Sequence, residues 1–509
     1  MAGARTNDAR AGDAPGPPRS WLGRRHLMAA YGAFGAYAVA AAFVSGGRDR
    51  VWAIWAACGY AVALAMLWCW RSRRGRMAAV GVSVALAVLA PLLWLSVAYP
   101  LEDGMVVIDR SAALLLHHGL PYLAADQVTG WLSYNPYLPV MTLFGLPDAA
   151  GLGGLAGNSG VWIAIGTVIP LAAAFWVAMR PRGYDALLAT AVAVASPVVG
   201  LNLAVITTDP PVLALILLAL ALAARPAASP GTGRTSWITA ITGSGAALGA
   251  ACDLKSTAWL AVPVLAAMVA ARDGVRAAGR FVAAVAVTAV VLVVALAPAA
   301  LTSLRGANAL VQNSVLFPLG LTRYKTPAES LLPGHLLTAL GPAGHVASVG
   351  LLLAAGLGIA IWIVVRPPRD VPAAAWRLAV GLTLMFLLGP QVRFGYFIYP
   401  LGLVGWLALN PVARPAARSG QCGGRSSRTP ASGLVALLAE QPQRRLGDRA
   451  AGLLAFAAPP PGPLGFRRVE IRQVELVDGD RVRWHGRHPT VTCSKPAPCC
   501  PGLCGPVKG

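Results

Sequence analysis

Long apolar stretches, separated by short polar segments, make up most of the first 410 residues. They are about 16 to 22 residues long, close to the length of a helix that crosses a bilayer. Every backbone amide in a lipid interior must be paired within its own segment, so each stretch must be helical. Twelve stretches qualify, at 27–46, 51–70, 78–99, 160–179, 186–205, 210–224, 237–252, 256–271, 281–301, 346–365, 373–389 and 394–410. The pattern predicts an all-α polytopic membrane protein with about 10–12 transmembrane helices.

Composition favours the same class. The chain is 56% hydrophobic and only 12% charged, whereas a soluble domain carries roughly 25% charged residues. Residues 1–24 are polar and basic, and the apolar stretch after them has no small-residue cleavage site. That stretch is therefore predicted to be a membrane anchor and not a signal peptide that is removed.

Positive charge is concentrated on one side of the predicted membrane. The net charge is +22, and arginine clusters occur at 5–25, 71–76, 180–182, 225–234, 272–280 and 366–369. With twelve spans all of these clusters fall on one side, which the positive-inside rule assigns to the cytoplasm. We therefore expect a multi-pass protein of the plasma membrane with both termini in the cytoplasm and two long outward loops, 100–159 and 302–345. On this interpretation the charge sets orientation, and no nucleic-acid partner is expected.

The chain divides into four predicted segments. Residues 1–26 form a basic cytoplasmic N-terminus, 27–77 two transmembrane helices, 78–410 a transmembrane core, and 411–509 a low-complexity cytoplasmic tail. Such a composition favours disorder, and its Arg, Pro, Gly and Ala bias also suits a segment translated out of frame.

Two features of the tail suggest local structure. The stretch 466–484 is compatible with a short strand pair around Asp478-Gly479-Asp480. The histidines and cysteines between His485 and Cys504 are residue types that bind zinc, but their spacing is irregular and has no pair of C-x-x-C arms. No metal site is assigned.

The first outward loop contains two candidate catalytic acids. Asp103 follows the third span within a few residues, where a lipid-linked substrate would present its headgroup. A carboxylate there can act as a general base on an acceptor hydroxyl. Asp109, six residues later, is a second candidate. The alternative is that either acid caps an interfacial helix over 111–118, or is simply solvated.

Lys255 and Asp209 lie at the ends of predicted spans. Lys255 is one of four lysines in the chain and stands between two apolar segments. A cation at such a place either extends to the membrane surface or pairs with an anion, and a lipid phosphate is a plausible partner. Asp209 precedes Pro210-Pro211 and is predicted to be the N-cap of the next helix. A role in the site is compatible with that cap.

Three further cations are phosphate candidates. Arg323 and Lys325 lie in the second outward loop, where a guanidinium and an ammonium can hold a phosphate together. The alternative is ordinary loop polarity. Arg393 opens the last span, close to Tyr396 and Tyr399, which are equally well explained as interfacial aromatics.

Taken together, these residues resemble glycosyltransferase family 87 of the GT-C superfamily, the actinobacterial-type membrane mannosyltransferases. The resemblance covers roughly residues 78–410 and rests on the order and spacing of several motifs. These are Asp103 with Gly119–Tyr122, Tyr134–Pro139 with Phe144–Pro147, Lys255–Trp259, Phe317–Gly320 with Pro333–His335, and Arg393–Tyr396.

The resemblance implies a GT-C-like fold and an inverting sugar transfer. The donor would be a polyprenyl-phosphate sugar, with mannose expected first, and the acceptor an extracytoplasmic glycan or glycolipid. Asp103 would activate the acceptor hydroxyl, while Lys255, Arg393 and Arg323 would stabilise the departing phosphate. The remaining members of the expected substrate-binding set are Lys325, Tyr134, Asn135, Asp209 and His335. No cofactor or metal is expected, because a monophosphate leaving group does not require one.

The chain departs from the family pattern in three places. Two additional spans precede the Asp103 loop, Thr207-Thr208-Asp209-Pro210 stands where the family has Gly-Gln-x-Asn, and the tail has no counterpart. The rival classes are a polytopic transporter or flippase and a scaffold protein. Convergence of Asp103, Lys255 and Arg393 on one cavity that opens sideways to lipid would favour the enzyme.

Overall fold

The computed structural model describes residues 22–179, 183–224, 234–324 and 330–410. Within these ranges all regular structure is helical and no strand is present. The principal helices are α1 Arg24–Val44, α2 Gly47–Cys69, α3 Arg73–Ala98, α4 Asp103–His118, α5 Ser159–Ala178, α6 Gly183–Ala195, α7 Pro197–Ala204, α8 Pro210–Ala223, α9 Arg234–Leu254, α10 Ala261–Asp273, α11 Val275–Leu296, α12 Leu304–Val311, α13 Pro342–Val365, α14 Val371–Leu388 and α15 Ile398–Leu409.

Shorter helical pieces connect them. Four-to-six-residue α-helices lie at Leu146–Ala149, Gly154–Gly157, Ala299–Thr302 and Pro333–Thr338. Segments of 3₁₀-helix lie at Ala125–Gln127, Trp131–Ser133, Pro139–Gly145, Ser256–Leu260 and Phe394–Phe397. Two π-helical turns occur, Ala85–Leu89 inside α3 and Gln312–Leu316 after α12. The predicted strand pair at 466–484, the rest of the tail and Lys325 lie outside the described residues.

Seven described helices are long and apolar enough to cross a membrane. They are α1, α2, α3, α5, α11, α13 and α14. The pair α6 and α7, bent by 60° at Ser196, makes an eighth if it is one span. The prediction of an all-α multi-pass membrane protein is therefore confirmed for the described ranges.

The number of such helices is smaller than the predicted ten to twelve. All twelve predicted spans fall on helices, but five of those helices are bent, short or more polar. The span at 186–205 is the bent pair, and 210–224 and 394–410 are shorter apolar helices. The span at 256–271 begins with a 3₁₀ turn, and 237–252 lies on α9, which contains several Ser, Thr and Gly residues.

Side chains of α2 donate hydrogen bonds to backbone carbonyl groups that have lost their helical partners at breaks in other helices. A π-helical turn shifts the hydrogen-bond ladder of α3, and Trp52 Nε1 donates to the carbonyl oxygen of Ala87 there at 2.9 Å. α6 ends before Pro197, which cannot continue its ladder, and Tyr60 Oη donates to the Ala195 carbonyl oxygen. Unpaired carbonyls are costly in lipid, so α2 packs as an integral part of the bundle, and α1 packs against it through the stacked rings of Tyr31 and Tyr60.

Small residues allow α9 and α11 to approach closely. A Cβ at Gly245 would lie 2.5 Å from the carbonyl oxygen of Phe281, and one at Gly249 would lie 2.7 Å from that of Val285. This spacing of two glycines four residues apart is the small-xxx-small arrangement that brings helix backbones together in membranes. A Cβ at Gly243, on the same helix, would have one neighbour within 4 Å, a side-chain carbon of Leu222 at 3.7 Å.

We predict that Gly245→Ala destabilises the protein and Gly243→Ala does not. The first change forces backbone atoms of α11 apart, at a cost of about 1–3 kcal/mol. The second adds a better helix former without a clash, worth up to about 1 kcal/mol. The thermal midpoint of each purified variant in detergent measures the difference. Equal midpoints for the two variants would contradict close packing of α9 on α11.

Candidate functional site

One cavity of about 170 Å³ gathers polar residues from five separate parts of the chain. Its lining includes Glu102, Asp103, Gly104, Tyr134, Tyr137, Asn202, Thr207, Thr208, Asp209, Lys255, Gln391, Arg393 and Tyr396. These residues lie where α3 and α7 end and where α4 and α8 begin. We call this end of the bundle the site end. Five of the predicted site residues therefore converge, namely Asp103, Tyr134, Asp209, Lys255 and Arg393.

Glu102 starts helix α4 and thereby fixes the position of Asp103. Its Oε2 accepts a hydrogen bond from the backbone N–H of Gly104 at 2.7 Å, which caps the helix. A Cβ at Gly104 would lie 2.9 Å from Glu102 Oε2 and 3.0 Å from Tyr137 Oη, so a larger residue there would displace these side-chain atoms. The helix thus begins at Asp103, well before the predicted start at 111. The Asp103 side chain lines the cavity and, among the described residues, forms no hydrogen bond or ion pair.

The structure separates Asp103 from Asp109. Six residues along an α-helix correspond to a rotation of about 240°, so the two carboxylates leave α4 in different directions. Asp109 does not line the cavity; a Cβ at Gly145 would lie 3.0 Å from its Oδ1. That oxygen is buried and has no hydrogen-bond partner among the described residues. Burial raises the pKa of Asp109 to about 7. Asp103 is therefore the acid that a substrate in the cavity would meet.

Lys255 is paired inside the protein with Asp209. Lys255 Nζ lies 2.6 Å from Asp209 Oδ1, and both side chains are at least nine-tenths buried. Tyr399 Oη donates to the same carboxylate oxygen at 2.7 Å. The ammonium also lies 4.4 Å from the ring centroid of Tyr396 and 5.8 Å from that of Tyr137, a cation–π arrangement. Burial lowers the pKa of Lys255, but the charge of Asp209, the neighbouring Tyr396 and Tyr137 and the hydrogen bond to Asp209 together raise that pKa above its usual value, so the ammonium stays charged.

These contacts correct three expectations. Asp209 occupies the N-cap position of α8, but its side chain makes no capping hydrogen bond and turns to Lys255 and Tyr399 instead. Of the two alternatives predicted for Lys255, it pairs with an anion, and in the structure that anion is Asp209 instead of a lipid phosphate. Tyr399 is fully buried and is not an interfacial aromatic.

A strained turn brings Thr207, Thr208 and Asp209 to the cavity. Ile206, just before them, has a φ of 64°, and no other described non-glycine residue has a positive φ. A β-branched residue is strained in this region, at a cost of order 1–3 kcal/mol. Hydrogen bonds from Thr207 hold the turn, because its N–H donates to the carbonyl oxygen of Asn202 at 2.9 Å and its hydroxyl donates to Asn202 Oδ1 at 3.0 Å.

Arg393 approaches the opposite side of the cavity and faces Glu102. Its Nη1 lies 3.6 Å from Glu102 Oε1, and the Arg393 side chain is 41% exposed. Burial raises the pKa of Glu102, against the lowering effects of its hydrogen bond from Gly104 and of Arg393. When Glu102 takes up a proton, Arg393 loses its counter-charge and becomes available to another anion.

The two long loops pack against each other beside the cavity. The rings of Tyr134 and Phe317 stack with centroids 4.5 Å apart. The backbone N–H of Asn135 donates to Asn313 Oδ1 at 2.8 Å, and Asn135 Oδ1 accepts from the backbone N–H of Tyr137 at 3.0 Å. Asn135 is buried and does not line the cavity. Its contacts position the loop, whereas Tyr134 belongs to the wall itself.

Two other candidates are not brought to the cavity. Arg323 lies over the ring of its neighbour Tyr324, 5.2 Å from the centroid, and His335 Nδ1 lies 3.3 Å from the carbonyl oxygen of Pro390. Neither lines the cavity. Lys325 lies outside the described residues.

Sequence reasoning left three residues of the site without a role. Glu102 was recognised as a loop acid, but its cap and its contact with Arg393 were not foreseen. Tyr137 and Tyr399 complete the surroundings of Lys255 and Asp209. The sequence does contain a pattern that indicates the cap, because Glu102-Asp103-Gly104 directly follows a span and supplies a carboxylate that can cap a helix. Nothing local marked Tyr399 as the partner of a residue 190 positions earlier.

Comparison with known proteins returns no match from a family model, a curated protein or a solved structure. The resemblance to glycosyltransferase family 87 rests on the residues of this chain and stays a prediction.

We predict that Asp209→Asn and Lys255→Met each lower the free energy of unfolding by about 3–5 kcal/mol, because each leaves a buried charge unpaired. The double variant should cost less than the sum of the two, since it removes both charges. Denaturation of the purified protein in detergent measures all three values. The matched control is Asp126→Asn, which breaks the exposed pair with Arg305, whose side chains are 74% and 72% exposed. That change should cost under about 1 kcal/mol, and similar losses for the exposed and buried pairs would contradict this account.

We predict a distinct pH dependence for Asp109→Asn. Because burial raises the pKa of Asp109 from 3.8 to about 7, the folded protein keeps a proton that the unfolded chain releases between these values. Wild-type stability should therefore fall as the pH rises from about 4 to about 7 and level off above that. The variant lacks this pH-dependent contribution. Its thermal midpoint, measured relative to that of the wild type, should therefore rise as the pH increases from about 4 to about 7. Parallel pH profiles would show that Asp109 is not buried as described.

Proposed function

We propose that the protein is a membrane glycosyltransferase that transfers a hexose, with mannose expected, from a polyprenyl-phosphate sugar to a glycan or glycolipid acceptor. One observation carries the proposal. Asp103, Lys255 and Arg393 come from three distant parts of the chain and line one cavity. A scaffold protein would have no need of such convergence, and a transporter would require a path to both ends of the bundle.

The proposed reaction inverts the sugar carbon that is attacked. The acceptor hydroxyl gives its proton to Asp103 while its oxygen forms the new bond to the anomeric carbon. The bond between that carbon and the phosphate oxygen breaks, and the polyprenyl phosphate leaves with the bonding electrons. Asp103 suits the role of base because it lines the cavity and has no partner among the described residues that would have to be displaced.

Stabilisation of the phosphate falls mainly to Arg393. Lys255 already has Asp209 as its counter-ion, so it would contribute to phosphate binding only by donating hydrogen bonds from its remaining N–H groups. Arg393 is more exposed, and its contact with Glu102 is long, at 3.6 Å. Burial raises the pKa of Glu102, so a phosphate that approaches Arg393 can displace its carboxylate once Glu102 has taken up a proton. A guanidinium can then bind two phosphate oxygens in parallel.

The proposed setting is the plasma membrane, with the cavity facing outward and both termini in the cytoplasm. This orientation follows from the arginine clusters in short connections such as 71–76 and 366–369. The partners are the lipid-linked donor, the acceptor and membrane lipid. The chemistry requires neither a cofactor nor a metal, because charged side chains and hydrogen bonds can stabilise a departing monophosphate.

We predict that Asp103→Asn reduces sugar transfer by about 10²–10⁴-fold, the usual contribution of a general base, while Asp109→Asn keeps most of it. The assay uses membranes that contain wild type or variant protein, radiolabelled polyprenyl-phosphomannose and a crude actinobacterial lipid extract as acceptor source. Asp109→Asn is the matched control because it makes the same change on the same helix, outside the cavity.

Each outcome has a definite meaning. Loss of transfer in Asp109→Asn alone would move the base to Asp109. Absence of transfer above empty membranes for every variant would contradict the proposal and favour a polytopic transporter or flippase of a lipid-linked or small polar substrate.

A further inference from the structure

A second and larger cavity, of about 770 Å³, lies between the N-terminal helices and the rest of the bundle. Its walls come from α1, α2, α7 and the segment Phe394–Leu409. α1 and α2 are the two helices that precede the part of the chain resembling a glycosyltransferase. The cavity therefore depends on two helices that lie outside the part of the chain that carries the resemblance.

The polarity of this cavity changes along its length. Ser45, which follows α1, and Arg48 and Asp49, in the first turn of α2, line it at the site end. Glu102 and Thr207 also line it there. Away from that end the walls are apolar and small or aromatic, with Ala33 of α1 and Leu401 of α15 among them. The stretch of α1 from Ala33 to Ser45 is about 18 Å long at 1.5 Å per residue. A polar mouth at the site end with an apolar body alongside membrane helices matches the form of a lipid.

The two cavities share part of their walls. Glu102, Asn202, Thr207 and Gly395 line both of them. Asp103 and Lys255 line only the smaller one. A molecule that extends from the larger cavity into the smaller one passes Glu102, the residue directly before Asp103. An acceptor hydroxyl that follows this path approaches the proposed base from the side of Glu102.

Arg48 supplies a cation at this mouth. Its Nη1 donates to the carbonyl oxygen of Val205 at 3.4 Å, a long hydrogen bond. Glu102, Asp103 and Asp49 interact with it electrostatically, but none of them forms an ion pair with it within 4 Å in the part of the chain that is described. The guanidinium is thus held close to the acids and is free to bind the phosphate of a lipid headgroup.

We propose that the larger cavity binds the acceptor, as a phosphate-bearing lipid whose apolar chain lies between α1, α2 and α15. Arg48 binds its phosphate, and its headgroup hydroxyl reaches Asp103. This assignment rests on the proposed sugar transfer and adds to it the class of acceptor and its path. It also gives the two N-terminal helices a function, since without them the apolar walls on one side would be absent.

Photolabelling tests the assignment with the full-length protein in lipid nanodiscs. The probe is phosphatidylglycerol with a diazirine in one acyl chain, and labelled peptides are mapped by mass spectrometry. We expect labels on α1 and on the segment Phe394–Leu409. Ala41→Trp, which fills the cavity, should lower that labelling by about tenfold. Ala40→Trp is the matched control, because Ala40 is exposed on the same helix and does not line the cavity.

Kinetics and labelling distinguish the possible failures. Ala41→Trp should raise the KM for the acceptor lipid and leave the KM for polyprenyl-phosphomannose unchanged, with Ala40→Trp as the control. A raised KM for the donor alone would overturn the assignment in favour of the donor. Equal labelling of the cavity-lining peptides in Ala41→Trp and Ala40→Trp would overturn the lipid site even if wild type transfers sugar. Absence of sugar transfer by wild type with correct labelling would overturn the proposed function, and with it the acceptor role.

Discussion

The buried pair of Asp209 and Lys255 is the interaction on which the site depends. Two opposite charges are buried together at the junctions of short or interrupted helices, where each alone would be very costly. Asp209 ties the start of α8 to the segment after α9, and Tyr399 adds α15 through the same carboxylate oxygen. The pair therefore fixes three parts of the bundle and holds one wall of the cavity in place.

Interrupted helices leave room for such a cavity, and they also leave backbone carbonyl groups without helical hydrogen-bond partners. The break at Ser196 and the π-helical turn in α3 free backbone carbonyls that lipid cannot satisfy. Tyr60 and Trp52 of α2 satisfy them. α2 also lines the larger cavity. The helix whose side chains pair with these carbonyl groups therefore also shapes the space beside the candidate site.

The charge balance of the smaller cavity decides what it can bind. Three acids line it, Glu102, Asp103 and Asp209, against two cations, Lys255 and Arg393. Asp209 is neutralised by Lys255, and burial pushes Glu102 towards its neutral form. Asp103 is then left as the accessible carboxyl group and Arg393 as the accessible cation. A site of this kind keeps a group that can accept a proton apart from a group that can bind an anion, and the proposed glycosyl transfer would use both.

The sequence by itself determined the class of the protein and several members of the site. The length of the apolar stretches and the rarity of charge indicate membrane helices, because both can be read from each stretch of sequence by itself. Asp103, Lys255 and Arg393 were recognisable as charged residues at the ends of these stretches. Only the tertiary structure decided which of them meet. Asp109 is turned away from the cavity by the periodicity of α4, and Arg323 and His335 remain in the loops. The Asp209 carboxylate pairs with Lys255 and does not cap its own helix. The two residues are 46 positions apart, so packing between segments, and not local spacing, brings these charges together in a buried region.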